Sequence, residues 1–296
     1  MPTLLDFRRR IRSVKNSQQI TRAMKFVAAA RLRRAQEAAL AARPYAQELV
    51  RVLRSTMARI QEPQHPLLER RDEKNVLAIV LTGERGLAGA FNTNILRKAN
   101  EVFRAHRDKK VVTIPVGKKG RDSLKKAGFT FAGEWINVLA RVEFKTAREI
   151  AKLATDLYAE QKVDSVYIVF SEFKSVVAPN LTVEKLLPVE AVGKEKDSKE
   201  QPKSDKTPET QVDYIYEQPE AQLLDKLLPR YIETQILRAM LESSASEYAA
   251  RMTAMESATK NAGDVIDALT LHMNKVRQAA ITKEIIEIVS GAAYGA

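Results

Sequence analysis

IRSVKNSQQITRAMKFVAAARLRRAQ, residues 11–36, decides the fold. It contains neither Gly nor Pro and is dominated by Ala, Arg, Gln and other residues that lose little on entering a helix. Apolar residues recur at three- and four-residue spacing: Phe7 just upstream, Ile11 and Val14, then Ile20, Met24 and Val27, then Leu32 and Ala35. That is the period of an amphipathic helix. The phase slips near Asn16–Gln19, so the pattern departs from a strict heptad. The helical composition extends both ways. Residues 3–60 hold no Gly and one interior proline, Pro44, where a bend or local break is expected. At 1.5 Å per residue such a helix is roughly 80–90 Å long. That length implies a coiled coil or a projecting rod.

The other end of the chain repeats the pattern. Over residues 220–290, Leu237, Leu241, Ser244, Tyr248, Met252, Met255, Ala262, Val265, Leu269, Met273, Val276 and Ala280 fall on one drifting stripe. A kink is expected at Asn261-Ala262-Gly263-Asp264. Two long helices with thin, Ala-rich seams can bury those seams on each other as an antiparallel pair.

Between them the period changes. Val76–Thr82 (VLAIVLT) and Ser165–Phe170 (SVYIVF) are continuous apolar runs, the signature of buried strands. Val111–Val116, Phe129–Ala132 and Leu181–Val189 are further strand candidates. Helices are expected at Asn92–Arg107, with Asn92 or Asn94 near its cap, at Arg121–Ala127 and at Val142–Gln161. Alternating strands and helices predict a central, Rossmann-like α/β domain. Residues 193–211 (GKEKDSKEQPKSDKTPETQ) lack any large apolar side chain and predict a flexible charged loop. The expected organisation is therefore a helix over 1–60, an α/β domain over 72–190, a loop over 193–211 and a returning helix over 220–296.

Composition removes several chemistries. The chain has 296 residues and no cysteine, so it holds no disulfide, thiolate metal site or cysteine nucleophile. No apolar run reaches the ~18–20 residues of a membrane span. Its three histidines, His65, His106 and His272, are far apart without ligand spacing, and are expected to be solvent-facing or lightly packed. No triad, zinc site or paired-carboxylate site is evident, and no cofactor is implied. The formal net charge is +12. Fourteen Lys/Arg against three acids place +11 of it in residues 1–60. That segment must face solvent or an acidic partner.

Two features invite other interpretations. Gly83-Glu84-Arg85-Gly86-Leu87-Ala88-Gly89 follows a strand and precedes a helix, where a nucleotide loop would sit. Its spacing is GxxGxxG, and the Gly-Lys-Ser/Thr of a P-loop is missing, so a tight turn is the better expectation. Gly117-Lys118-Lys119-Gly120 is likewise expected to be a turn. The basic first helix could instead bind nucleic acid through phosphates. Its cations are spread around many turns, however, with no aromatic stacking platform.

Five stretches together resemble the ATP synthase gamma subunit, in its bacterial form. They are residues 11–36 quoted above, RPYA at 43–46, LTGERGLAGAFNTNI at 81–95, LLPRYIETQILRAMLESSASEYAARMTAMESATKNA at 227–262 and NKVRQAAITKEIIEIVSGAA at 274–293. The resemblance implies a non-catalytic rotor shaft whose terminal helices form a curved antiparallel coiled coil. The coil threads a hexamer of alpha and beta subunits, with the α/β domain set against the epsilon subunit and the c ring. The apolar tip Ile288–Ala293 is implied to turn in a bearing at the top of the hexamer. It also implies beta-subunit contacts at Met24, Lys25, Arg251, Arg277 and Gln278, and a foot on the c ring at Tyr214, Tyr216 and Glu217. A site on the cytoplasmic face of a bacterial plasma membrane is expected. Ala88 stands where relatives often carry Cys, and the region 193–211 lacks the cysteine pair of chloroplast members, which excludes their thiol switch.

Overall fold

The computed structural model describes residues 3–59, 65–175, 180–189 and 220–294. Helix α1 spans Leu4–Arg59 and helix α5 spans Glu220–Tyr294. At 1.5 Å per residue they measure about 84 and about 112 Å. The expected loop over 193–211 lies outside the described residues. Both prolines in these helices, Pro44 and Pro229, sit inside continuous helix, and α5 runs unbroken through Asn261–Asp264. The chain does not leave the helix there. Gly263 has a packing role instead: a Cβ at that position would lie 3.2 Å from Gln18 Nε2.

The seam of α1 is a stricter repeat than its apolar residues suggest. The more enclosed positions are Leu4, Phe7, Ile11, Val14, Gln18, Thr21, Lys25, Ala28, Leu32, Ala35, Ala39, Ala42, Ala46, Leu49, Leu53 and Thr56. Steps of three and four alternate without a slip, which is the heptad period of a left-handed coil. The expected break near Asn16–Gln19 arises because three consecutive seam positions are polar. Gln18 Nε2 donates to the Thr259 carbonyl at 3.3 Å. Thr259 Oγ1 donates to Thr21 Oγ1 at 2.8 Å, and Lys25 Nζ meets Glu256 at 2.6 Å. On α5 the expected seam residue Val265 is exposed and its neighbour Ile266 is buried. Tyr248, Met252, Met255, Thr259, Ala262, Ile266, Leu269, Met273, Val276 and Ala280 carry the stripe. Polar Thr259 again takes a position that apolar counting skips.

The sheet has five strands: β1 Asn75–Leu81, β2 Lys110–Val116, β3 Thr130–Phe131, β4 Ser165–Glu172 and β5 Asn180–Leu187. Their order is β3-β2-β1-β4-β5; the first four are parallel and β5 is antiparallel to β4. Three helices connect them: α2 Phe91–Ala105, α3 Lys118–Lys126 and α4 Phe144–Ala159. Side chains of α2 and α3 pack on Ala78, Val80 and Val169 on one face. Those of α4 and α5 pack on Leu77, Ile79, Val166 and Ile168 on the other. Both faces of β1 and β4 are therefore covered, which explains their unbroken apolar runs. Leu53, near the end of α1, joins the second core and roots the coil in the domain.

Helix α2 begins at Phe91 behind Ala90, which makes no side-chain cap. Asn92, expected near the cap, turns outward from the first turn and accepts a hydrogen bond from Gly83 N at 2.8 Å.

Candidate partner interface

The candidate surface begins with what the seam leaves outside. Ile20, Phe26 and Val27 are 61 %, 61 % and 53 % exposed. Sequence periodicity places Ile20 and Val27 in the seam. The true seam residues beside them, Gln18, Thr21 and Lys25, are hydrogen-bonded across the coil, so these large apolar side chains face outward. Burying one of them is worth about 1.5–3 kcal/mol, so large apolar side chains left exposed on a rod make it a candidate contact surface. The arginines Arg8, Arg9, Arg10, Arg12 and Arg22 are exposed on the same helix. The two chemistries lie on one element: a basic field with apolar contacts set in it.

The singled-out residues that the structure describes each have a definite environment. Met24 is half-buried at the seam margin. Lys25 spans the coil to Glu256. Arg277 and Gln278 are exposed on α5. They lie about one turn beyond His272, whose ring packs on Phe7 with centroids 5.0 Å apart. Beyond the last seam position, Ala280, residues 281–290 are all exposed, including Ile281, Ile285 and Ile288. Arg251 differs from the others. Its side chain is 12 % exposed, pairs with Glu247 at 2.6 Å and donates to the Gly86 carbonyl at 3.4 Å. Tyr214, Tyr216 and Glu217 lie outside the described residues.

The glycine loop is a turn around a carboxylate. A Cβ on Gly83 would lie 2.9 Å from Glu247 Cδ, so glycine lets the loop close on that side chain. Burial pushes the Glu247 carboxyl above the ordinary glutamate range, against the opposing pull of Arg251. Helix α5 with its acid thus occupies the place where a phosphate would need donors. Gly117 and Gly120 press on Thr82, whose hydroxyl accepts from Gly120 N at 2.8 Å.

Two of the histidines expected to be solvent-facing or lightly packed, His65 and His106, have side chains only 11 % and 12 % exposed. His65 Nδ1 accepts from Leu67 N at 3.0 Å. His106 Nε2 lies 3.4 Å from Glu73, with its ring against Tyr167. Glu73 also takes Lys109 and Lys185 at 2.9 Å each and the Tyr167 hydroxyl at 3.0 Å. Burial opposes its ionisation, but these donors together hold its carboxyl down to about 2. The network staples the starts of β1 and β2 to β4 and β5. Among the described residues no group of acids and histidines is arranged to hold a metal.

A family model described as ATP synthase matches residues 3–293. The chain is 50 % identical over 299 residues to an ATP synthase gamma chain of Solibacter usitatus, covering 99 % of each. It is 45 % identical over 293 residues to that of Pelotomaculum thermopropionicum, again covering 99 % of each. Among solved structures, it resembles a chain of the Euglena gracilis mitochondrial ATP synthase rotor with a TM-score of 0.64. That match is 20 % identical and covers 94 % of this chain and 98 % of the other. A chain in the OSCP/F1/c-ring structure of the same enzyme gives a TM-score of 0.66 at 22 % identity, covering 98 % and 93 %. At these identities the structural likeness shows the shared fold. The comparisons give no support to nucleic-acid binding.

Proposed function

The chain belongs to the ATP synthase gamma-chain family, and we propose that it is the central rotor shaft of an F-type enzyme, carrying torque between an ion-driven c ring and catalytic beta subunits. It is a stalk subunit and not itself an enzyme. Its association with the membrane is through the assembly, and no described helix is long and apolar enough to cross a membrane.

One observation carries the proposal. Helix α5 is a single element, packed on the sheet at Leu224–Met240 and projecting beyond α1 at residues 281–290. Rotation of the domain must therefore turn the tip. A shaft passing three equivalent positions needs contacts that are remade at each step. Charge is suited to this because it is long-ranged and weakly oriented. The basic face of α1 would meet acidic loops on the surrounding hexamer. Met24 and Ile20 would supply apolar contact beside it, and Arg277 and Gln278 would hold one beta subunit in a waiting state. Arg251 would act by shaping the loop at Gly86, because its guanidinium is committed within the chain. The globular domain would meet the epsilon subunit and the c ring, with Tyr214, Tyr216 and Glu217 as its foot. Bacterial relatives of near-equal length are in keeping with a place on the cytoplasmic face of a bacterial plasma membrane.

The test mixes this chain with matching alpha and beta subunits and measures assembly and ATPase rate. One copy per hexamer, with hydrolysis well above that of alpha and beta alone, is the expected result. No complex and no stimulation, beside a competent control shaft, would overturn the proposal.

A further inference from the structure

In an open α/β sheet the crevice beyond the strand ends is the usual ligand site, at the point where strand order reverses. Here that point lies between β1 and β4. It is filled by ten residues of the chain's own α5, Glu242 to Arg251. Glu247 sits under Gly83, and Arg251 reaches the Gly86 carbonyl. Ser246 Oγ meets Ser171 Oγ at the end of β4 at 2.6 Å, and Ser244 Oγ donates to the Leu139 carbonyl at 3.0 Å. Glu242 joins the most parts. Its side chain is only 6 % exposed. One carboxylate oxygen accepts from Phe173 N, just past β4, at 3.0 Å. The other accepts from Arg43 Nη2 of α1 at 3.2 Å. A single side chain thus ties both coil helices to the sheet.

The chemistry of these ties matters for a rotating part. Apolar packing is non-directional, so a helix twisting about its axis can exchange one apolar neighbour for another at small cost. A hydrogen bond weakens steeply once its angle falls below about 120°. Bonds to backbone groups at the end of β4 and in the loops beside the sheet therefore resist twist where packing alone would yield. We propose that Glu242, through Arg43 and the Phe173 amide, is the torsional lock that fixes the angle of the shaft relative to the globular domain. Ser244, Ser246 and Arg251 form the rest of the collar. Glu242 is a positioning residue: it acts on the coil and touches no nucleotide. The lock presupposes that the chain works as a shaft.

The experiment uses the assembled alpha–beta–gamma complex. The chain has no cysteine, so Lys126→Cys on exposed Lys126 gives a single attachment point for a bead. With the hexamer fixed and stalled, the spread of bead angles measures torsional compliance. Arg43→Met and Glu242→Gln should each widen the angular variance by roughly 1.3- to 1.6-fold, charge-assisted bonds counting about double neutral ones. Arg43→Lys should recover part of the loss, and Lys98→Ala, on the far face of the domain, should change nothing. A purely structural role would lower the melting temperature and leave the variance unmoved. Assembled variants with wild-type variance would overturn the lock. Should Glu242→Gln fail to assemble, Arg43→Met decides alone, since Arg43 is half-exposed and its aliphatic stem is retained. A wild-type complex that neither assembles nor stimulates hydrolysis would overturn the shaft itself. A wild-type complex that does both, beside unchanged variants, would overturn only the lock.

Discussion

Gly117 shows how much one position can require. Its φ is +104°, a region that L side chains rarely adopt, and an added Cβ would overlap the Thr82 carbonyl. Gly117→Ala is expected to cost about 3 kcal/mol or more, from strain and overlap together. A urea midpoint measured against wild type checks this. Glu73 is the second such position. Its carboxyl is held down to about 2, so its stabilising effect is complete above the ordinary glutamate value and lost as pH falls toward 2. Glu73→Gln should lower stability at pH 7 by about 1–2 kcal/mol. It should also flatten the acid limb between about pH 4.5 and 2. Denaturant titrations at fixed pH values would show both; an unchanged acid limb would count against the network. Glu247 has the opposite sign: burial raises its carboxyl, so ionising it costs stability as pH rises. Sequence alone marks Gly117 only as a turn glycine and marks neither acid, because each of the three depends on a partner more than 30 residues away.

At the scale of elements, helices were legible and phase was not. Composition and period placed α1, α4 and the buried strands β1 and β4 within a few residues. The seam of α1 was misread at Ile20 because apolar counting cannot see that Gln18 and Thr21 are satisfied by Thr259. The order of the strands was likewise beyond local pattern, since the pairing of β1 with β4 joins residues about 90 positions apart. The polar layer carries its own prediction. A polar seam residue fixes register at some cost in stability. Replacing Gln18 by Leu, Thr21 by Val and Thr259 by Val together should raise the melting temperature and loosen register. Spin labels on exposed Arg12 and Asp267 would read this as a broadened distance distribution. A distribution as narrow as wild type would show that the apolar positions suffice.

For the whole molecule, the question is where torque enters and leaves. The globular domain is the proposed entry, and the collar around Glu242 passes the torque on to the coil. The exposed residues on the coil are the proposed exit; composition pointed to the arginines of α1, and the family resemblance pointed to Arg277 and Gln278. Arg277→Ala with Gln278→Ala removes two exposed side chains and should shift folding stability by no more than about 0.5 kcal/mol. In the assembled enzyme the same pair is expected to lower the number of protons pumped per ATP hydrolysed, measured in vesicles. An unchanged ratio would remove these residues from the coupling surface. The basic field predicts a matching salt effect: assembly with the hexamer should slow as ionic strength rises and the screening length falls from ~10 Å at 0.1 M.

The two halves of the coil are also separated in time. Helix α1 leaves the ribosome well before its partner on α5. Leu32 must wait for Ala245, Tyr248 and Ala249, the residues it packs against. At 5–20 residues per second that interval is roughly 10–40 s. A seam of Leu and Phe throughout would spend that time as an adhesive strip. Between Leu32 and Leu49 the seam instead runs Ala35, Ala39, Ala42, Ala46, which exposes little apolar area to a crowded cell. The small residues that let two helices lie close in the finished shaft also keep the newborn chain from sticking while its partner is still being translated.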